Sequence, residues 1–102
     1  IAMNDNMAAG ALEVVKDNPK FKGILAYGVD GTAEAVLLIQ QGLMTSTSLQ
    51  SAYDLATSIL DTTNKLATGA EKEINMDIDC PLITKDNVEK FIEMHKKAGA
   101  IK

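Results

Sequence analysis

Gly23-Ile24-Leu25-Ala26-Tyr27-Gly28-Val29-Asp30-Gly31-Thr32-Ala33-Glu34-Ala35 is the stretch on which the fold turns. Residues 23–29 are nearly all apolar, as a strand covered on both faces of a parallel sheet must be. Asp30-Gly31-Thr32 breaks that run as a turn, and residues 33–41 then read as a helix, with Gly42 placed to end it. A strand that passes directly into a helix is the first half of a βαβ unit, and the crossover of such a unit is almost always right-handed.

The same alternation continues in both directions. Upstream, Asn4, Asp5 and Asn6 are helix-starting types, and Met7, Ala8, Ala11, Leu12 and Val15 form one apolar stripe. Asn18-Pro19 ends that helix, because proline lacks an N–H and pushes its predecessor out of the α region. Downstream, residues 44–49 are β-prone but polar and read as a strand or an extended crossing segment. Ser51 with Asp54 three residues on predicts a third helix running to about Thr68 and closed by Gly69, with Ala52, Leu55, Ala56, Ile59, Leu60 and Leu66 on its apolar side. Ile74, Met76, Ile78 and Cys80 alternate with polar residues, which predicts a strand with one buried face, stopped by Pro81. Thr84 is placed to cap a last helix whose stripe is Val88, Phe91, Ile92 and His95, with Gly99 after it. The expected fold class from this alternation is α/β, a sheet covered by helices. In such sheets ligands bind beyond the carboxyl ends of the strands. Three polar residues, Asn4, Asp30 and Gln50, fall where these elements begin or end.

Composition narrows the function classes. The 102 residues make one domain or part of one. With 46% hydrophobic and 24% charged residues the chain is ordinary globular material. A net charge of -4 gives no electrostatic reason to bind nucleic acid or an anionic membrane, and the lack of tryptophan argues against a base-stacking platform. The single cysteine, Cys80, forms no intrachain disulfide and reads as a small buried hydrophobe. No apolar run is long enough to span a bilayer. The chain opens at Ile1 and enters a motif within three residues, so it reads as the tail of a longer protein whose targeting segment, if any, lies upstream.

Three segments carry a resemblance. Ala2-Met3-Asn4-Asp5-Asn6-Met7-Ala8-Ala9-Gly10-Ala11-Leu12 resembles the "ND-x-MA-x-GA" segment of the type I periplasmic binding proteins, the ribose- and galactose-binding family. Tyr27-Gly28-Val29-Asp30-Gly31-Thr32-Ala33-Glu34-Ala35 is similar to that family's strand and turn. Ile39-Gln40-Gln41-Gly42, followed by Thr47 and Gln50, is similar to its crossing segment. Ser51-Ala52 stands where the family often has proline, and Ala56 where it usually has glycine. The resemblance implies a doubly wound parallel-sheet α/β fold, the periplasmic binding protein-like I fold, present here as an incomplete two-lobed flytrap. Residues 1–49 would belong to the C-terminal lobe, 50–81 to the N-terminal lobe after the last hinge crossing, and 82–102 to a hinge return and C-terminal helix. It implies a sugar gripped by Asn4, Asp30 and Gln50, and a partnership with an ABC transporter permease in a periplasmic or lipid-anchored setting.

Those residue types suit a polyol. A carboxylate accepts two hydroxyl protons in charge-assisted bonds, and an amide both donates and accepts. Taken singly, Asn4 is a plain helix cap, Asp30 a turn aspartate and Gln50 a surface glutamine; their joint agreement with the family raises them above that. Asp5 and Asn6 are read as first-turn or capping residues. His95 reads as a helix residue whose ring reaches the surface, since no Cys/His/carboxylate cluster surrounds it, and the methionines as mostly core. No metal site, cofactor loop or catalytic constellation is visible, so an α/β enzyme is disfavoured. The effector domain of a LacI-type transcriptional regulator shares the fold and is the alternative, although Gly31-Thr32 after the aspartate favours transport. As a lone piece the chain should bind sugar weakly and should associate with the remainder of its protein or form a homodimer.

Overall fold

The computed structural model describes residues 1–102. The regular elements are α1 (Asp5–Val15), β1 (Tyr27–Asp30), α2 (Ala33–Gln40), β2 (Ser46–Leu49), α3 (Ala52–Ala67), β3 (Leu82–Thr84) and α4 (Val88–Lys97), with a short 3-10 turn at Pro19–Phe21. Each of the first three helices starts where the sequence supplies a capping oxygen. Asn4 accepts from the Met7 N–H at 2.9 Å, Thr32 from Ala35 at 3.2 Å and Ser51 from Asp54 at 3.1 Å. Such caps satisfy donors that have no partner inside the helix.

The sheet has three strands in the order β1-β2-β3. β1 and β2 run parallel with α2 as their crossover, and β3 is antiparallel to β2. The register places Gly28 beside Thr47 and Thr47 beside Ile83, so these three share one face of the sheet. All three are buried. Helices α1, α2 and α4 lie side by side, α2 touching both others. The core joins Ala8 and Leu12 of α1, Ala35, Val36 and Ile39 of α2, and Val88, Phe91 and Ile92 of α4 to Met44, Leu49 and Ile83. Burying a side chain the size of Phe91 or Ile92 is worth roughly 1.5–3 kcal/mol, so α4 is seated by its stripe and not by propensity. Gly28 is required for a different reason. A Cβ there would run into the Asp5 carboxylate and the tip of Met44, so only glycine lets α1 approach β1.

Beyond this body the chain forms an arm. α3 has no buried residue; Leu55 and Ile59 stay 50% and 55% exposed. The molecule is correspondingly long, 60 × 27 × 21 Å.

Several expectations are corrected here. The period-two run from Ile74 to Cys80 forms no strand. Alternation marks a face that can be buried, but a strand also needs a neighbour for its backbone, and none lies beside this segment. Ile74 and Ile78 are instead half-buried in a shallow groove with Leu55 and Ile59 of α3. Cys80 is exposed, not buried. β1 begins at Tyr27 and not at Gly23, because β2 offers only four residues of ladder, and Ile24 and Leu25 remain exposed. Among the methionines only Met44 is core; Met3, Met7, Met76 and Met94 lie on surfaces for which this chain supplies no covering layer. The last helix is preceded by Asn87 and not Thr84: the Asn87 amide oxygen accepts from the Thr84 N–H at 2.8 Å and its NH2 donates to the Leu82 carbonyl at 2.9 Å.

Candidate ligand-binding site

The carboxyl ends of β1 and β2 lie side by side, and the N-terminus of α1 abuts them. Asp30, the last residue of β1, has φ 122°, a region that residues with a Cβ rarely enter. Backbone strain of this kind costs on the order of 1–3 kcal/mol and persists only where the surroundings over-determine it. Here they do. The Asp30 carbonyl accepts from the Gln50 N–H at 3.1 Å, and the Gly31 N–H is donated to Thr47 Oγ1 at 3.2 Å. The Thr32 N–H is donated to Asp5 Oδ2 at 2.8 Å.

Asp30 and Gln50 are brought together directly, with Gln50 Nε2 donating to Asp30 Oδ1 at 3.2 Å. Asp30 Oδ2 and the Gln50 carbonyl oxygen remain open to a further partner. Asn4 joins the same edge through its neighbour Asp5, whose carboxylate spans Thr32 and Thr47. The oxygen of the Asn4 side chain is spent on the helix cap, while its NH2 group stays available. The edge is open. None of the larger concavities is lined by Asn4, Asp30 or Gln50. The largest, about 680 Å³, lies at the other end of α1 between Val15, Phe21 and Ile24.

Three residues that hold this edge carry roles the sequence did not suggest: Asp5 is more than a first-turn or capping residue, Thr47 more than part of a crossing segment, and the His95 ring turns to a backbone carbonyl and not to the surface. Asp5 is 1% exposed and accepts from Thr47 Oγ1 at 2.5 Å as well as from Thr32. Its charge is placed at the N-terminal ends of both α1 and α2, where helix dipoles favour an anion, and no cation is paired with it. Thr47 is fully buried, and polar residues inside a short strand are the signal that could have revealed such a network. His95 of α4 donates from Nε2 to the Gly31 carbonyl at 2.8 Å. No group of three His, Cys, Asp or Glu residues is arranged to hold a metal ion.

Strand order, helix layer and polar edge put the chain in the class of α/β units whose parallel strands end together at one polar edge. The profile of the periplasmic binding protein domain matches residues 1–71, and the chain belongs to that family, in its type I sugar-binding branch. It is 31% identical over 91% of its length to a xylitol-binding protein of Mycolicibacterium smegmatis, covering 26% of that protein. It is 32% identical over 81% of its length to a ribose import binding protein of Haemophilus influenzae, covering 28% of it. Among solved structures, an ABC transporter solute-binding protein from Bacillus halodurans with bound myo-inositol superposes with a TM-score of 0.76. That match has 27% identity and covers 88% of this chain and 31% of the other. The chain thus spans between 26% and 31% of the length of these relatives.

Proposed function

We propose that these residues are the C-terminal third of the solute-binding component of a bacterial ABC importer, capturing a monosaccharide or related polyol and catalysing no reaction. The observation that carries this reading is Asp30, held in a strained conformation with its carboxylate at the edge and Gln50 in contact with it. A carboxylate and two amides meet hydroxyls in both donor and acceptor roles, and a site so built rejects analogues that lack a hydroxyl. The relatives are all named as binding proteins, which favours import over the regulator reading. In this reading residues 1–49 and the returning segment 82–102 form one lobe, residues 50–81 belong to the other, and the open edge is one wall of the cleft between them. The setting is periplasmic or lipid-anchored outside the cytoplasmic membrane, and the docking partner is the importer's permease. No helix is long and apolar enough to cross a membrane.

A thermal-shift screen of the full-length protein against xylitol, ribose, galactose and myo-inositol tests the proposal. A sugar at a hundredfold excess over its Kd stabilises the folded state by about 2.7 kcal/mol, a rise of several degrees in Tm. No shift with any sugar or polyol would count against it. The division into lobes has its own test. Residues 1–102 alone expose the apolar side of α3, so light scattering after size exclusion should return a mass of at least twice 10.9 kDa, or a dependence of mass on concentration. A stable monomer at all concentrations would argue against α3 having lost its cover.

A further inference from the structure

We infer that His95 is a positioning residue for the ligand site, setting the direction of the Asp30 carboxylate through the carbonyl of Gly31. The inference rests on Asp30 gripping ligand, as proposed above.

The two peptide groups around Gly31 are held at both ends. In the Asp30–Gly31 peptide, the carbonyl accepts from Gln50 and the N–H is donated to Thr47. In the Gly31–Thr32 peptide, the N–H is donated to Asp5 and the carbonyl accepts from His95. Gly31 itself has φ +72°, and a Cβ there would meet Leu49 and Ile83, so glycine is obligatory and the chain is locally at its most pliable. Three of the four restraints come from elements that already form the edge. The fourth arrives from a residue 64 positions downstream.

The delivery is specific. His95 follows Phe91 and Ile92 at the i+4 and i+3 spacings, so it continues the buried stripe of α4 toward the edge. Because the acceptor is a carbonyl, Nε2 must carry the proton. Without that bond the Gly31–Thr32 peptide is held only through its N–H to Asp5, and the added freedom at Gly31 lets Asp30 sample directions that do not serve a ligand. Fixing one residue's backbone is worth enough that its release should weaken binding roughly tenfold.

The experiment uses the full-length protein and whichever of xylitol, ribose, galactose or myo-inositol gives the largest thermal shift, with Kd measured by calorimetry. His95→Leu removes the donor, and His95→Gln keeps an N–H near the same place. The expected result is a roughly tenfold weaker Kd for H95L, recovery to within about threefold for H95Q, and ligand-free Tm values of the two variants close to each other. Equal Kd values for H95L and wild type would overturn the inference, as would an H95Q no better than H95L. If H95L does not fold, H95Q and His95→Met decide by the same comparison. Asp30→Ala run alongside separates the two readings: intact binding in that variant sinks the ligand site itself, whereas loss there with an unaffected H95L sinks only the role of His95.

Discussion

Replacing Asp30 by alanine in the full-length protein is expected to weaken sugar binding by at least about a hundredfold, since two charge-assisted hydrogen bonds at about 1.5–3 kcal/mol each disappear. Calorimetry with the sugar that stabilises the wild type measures this directly. The backbone supplies a sharper version. At φ 122° any side chain is strained, so Asp30→Gly relieves roughly 1–3 kcal/mol while losing the carboxylate. Against that relief stand the bond to Gln50, about 0.5–1.5 kcal/mol, and the entropy of a new glycine, about 0.5–1 kcal/mol. Unfolding free energy should therefore stay within about 1 kcal/mol of wild type while binding is lost. A glycine variant that binds sugar normally would mean the strain serves something other than ligand.

Asp5→Ala is expected to act in the opposite sense, on stability first. It strands the Thr32 N–H and the Thr47 hydroxyl, each bonded to a carboxylate that is 1% exposed. At about 1.5–3 kcal/mol per bond the loss should be about 3–6 kcal/mol, read as a lower urea midpoint with an unchanged slope. Asp5→Asn keeps the shape but turns one acceptor into a donor, and it should recover only part of the loss. A change below about 1 kcal/mol for D5A would show that water or a shifted side chain substitutes for the carboxylate.

Much of the fold was legible because it is local. The caps at Asn4, Thr32 and Ser51, the turn at Asp30-Gly31 and the α4 stripe are each decided within a few residues. What was not legible depends on partners far along the chain. The alternation at Ile74–Cys80 has the composition of a strand but no neighbour to pair with. Asp5 looks like any acidic residue in a first helical turn; its burial follows from Thr32 and Thr47, 27 and 42 residues away. For the site, sequence reasoning singled out the outward-facing pair, Asp30 and Gln50, which the fold sets in contact, and Asn4, whose side chain the fold engages as the cap of α1. It read the residues behind them, Asp5, Thr47 and His95, as a capping residue, part of a crossing segment and a surface-reaching ring, because an inward-pointing polar group leaves the same letter in the sequence as a solvated one.

The arm is attached by two lengths of chain, not one. Beyond the paired residues of β2 and β3, the Leu49 N–H still donates to the Pro81 carbonyl at 2.9 Å, and the Ser48 hydroxyl to the Cys80 carbonyl at 3.2 Å. The outgoing and incoming strands are therefore stitched up to the point of departure. Like a strap of two bonded ribbons, this root yields to torsion more readily than to stretching, and neither ribbon can lengthen without the other. Any swing of α3 must pass through that shared root, within one residue of Gln50.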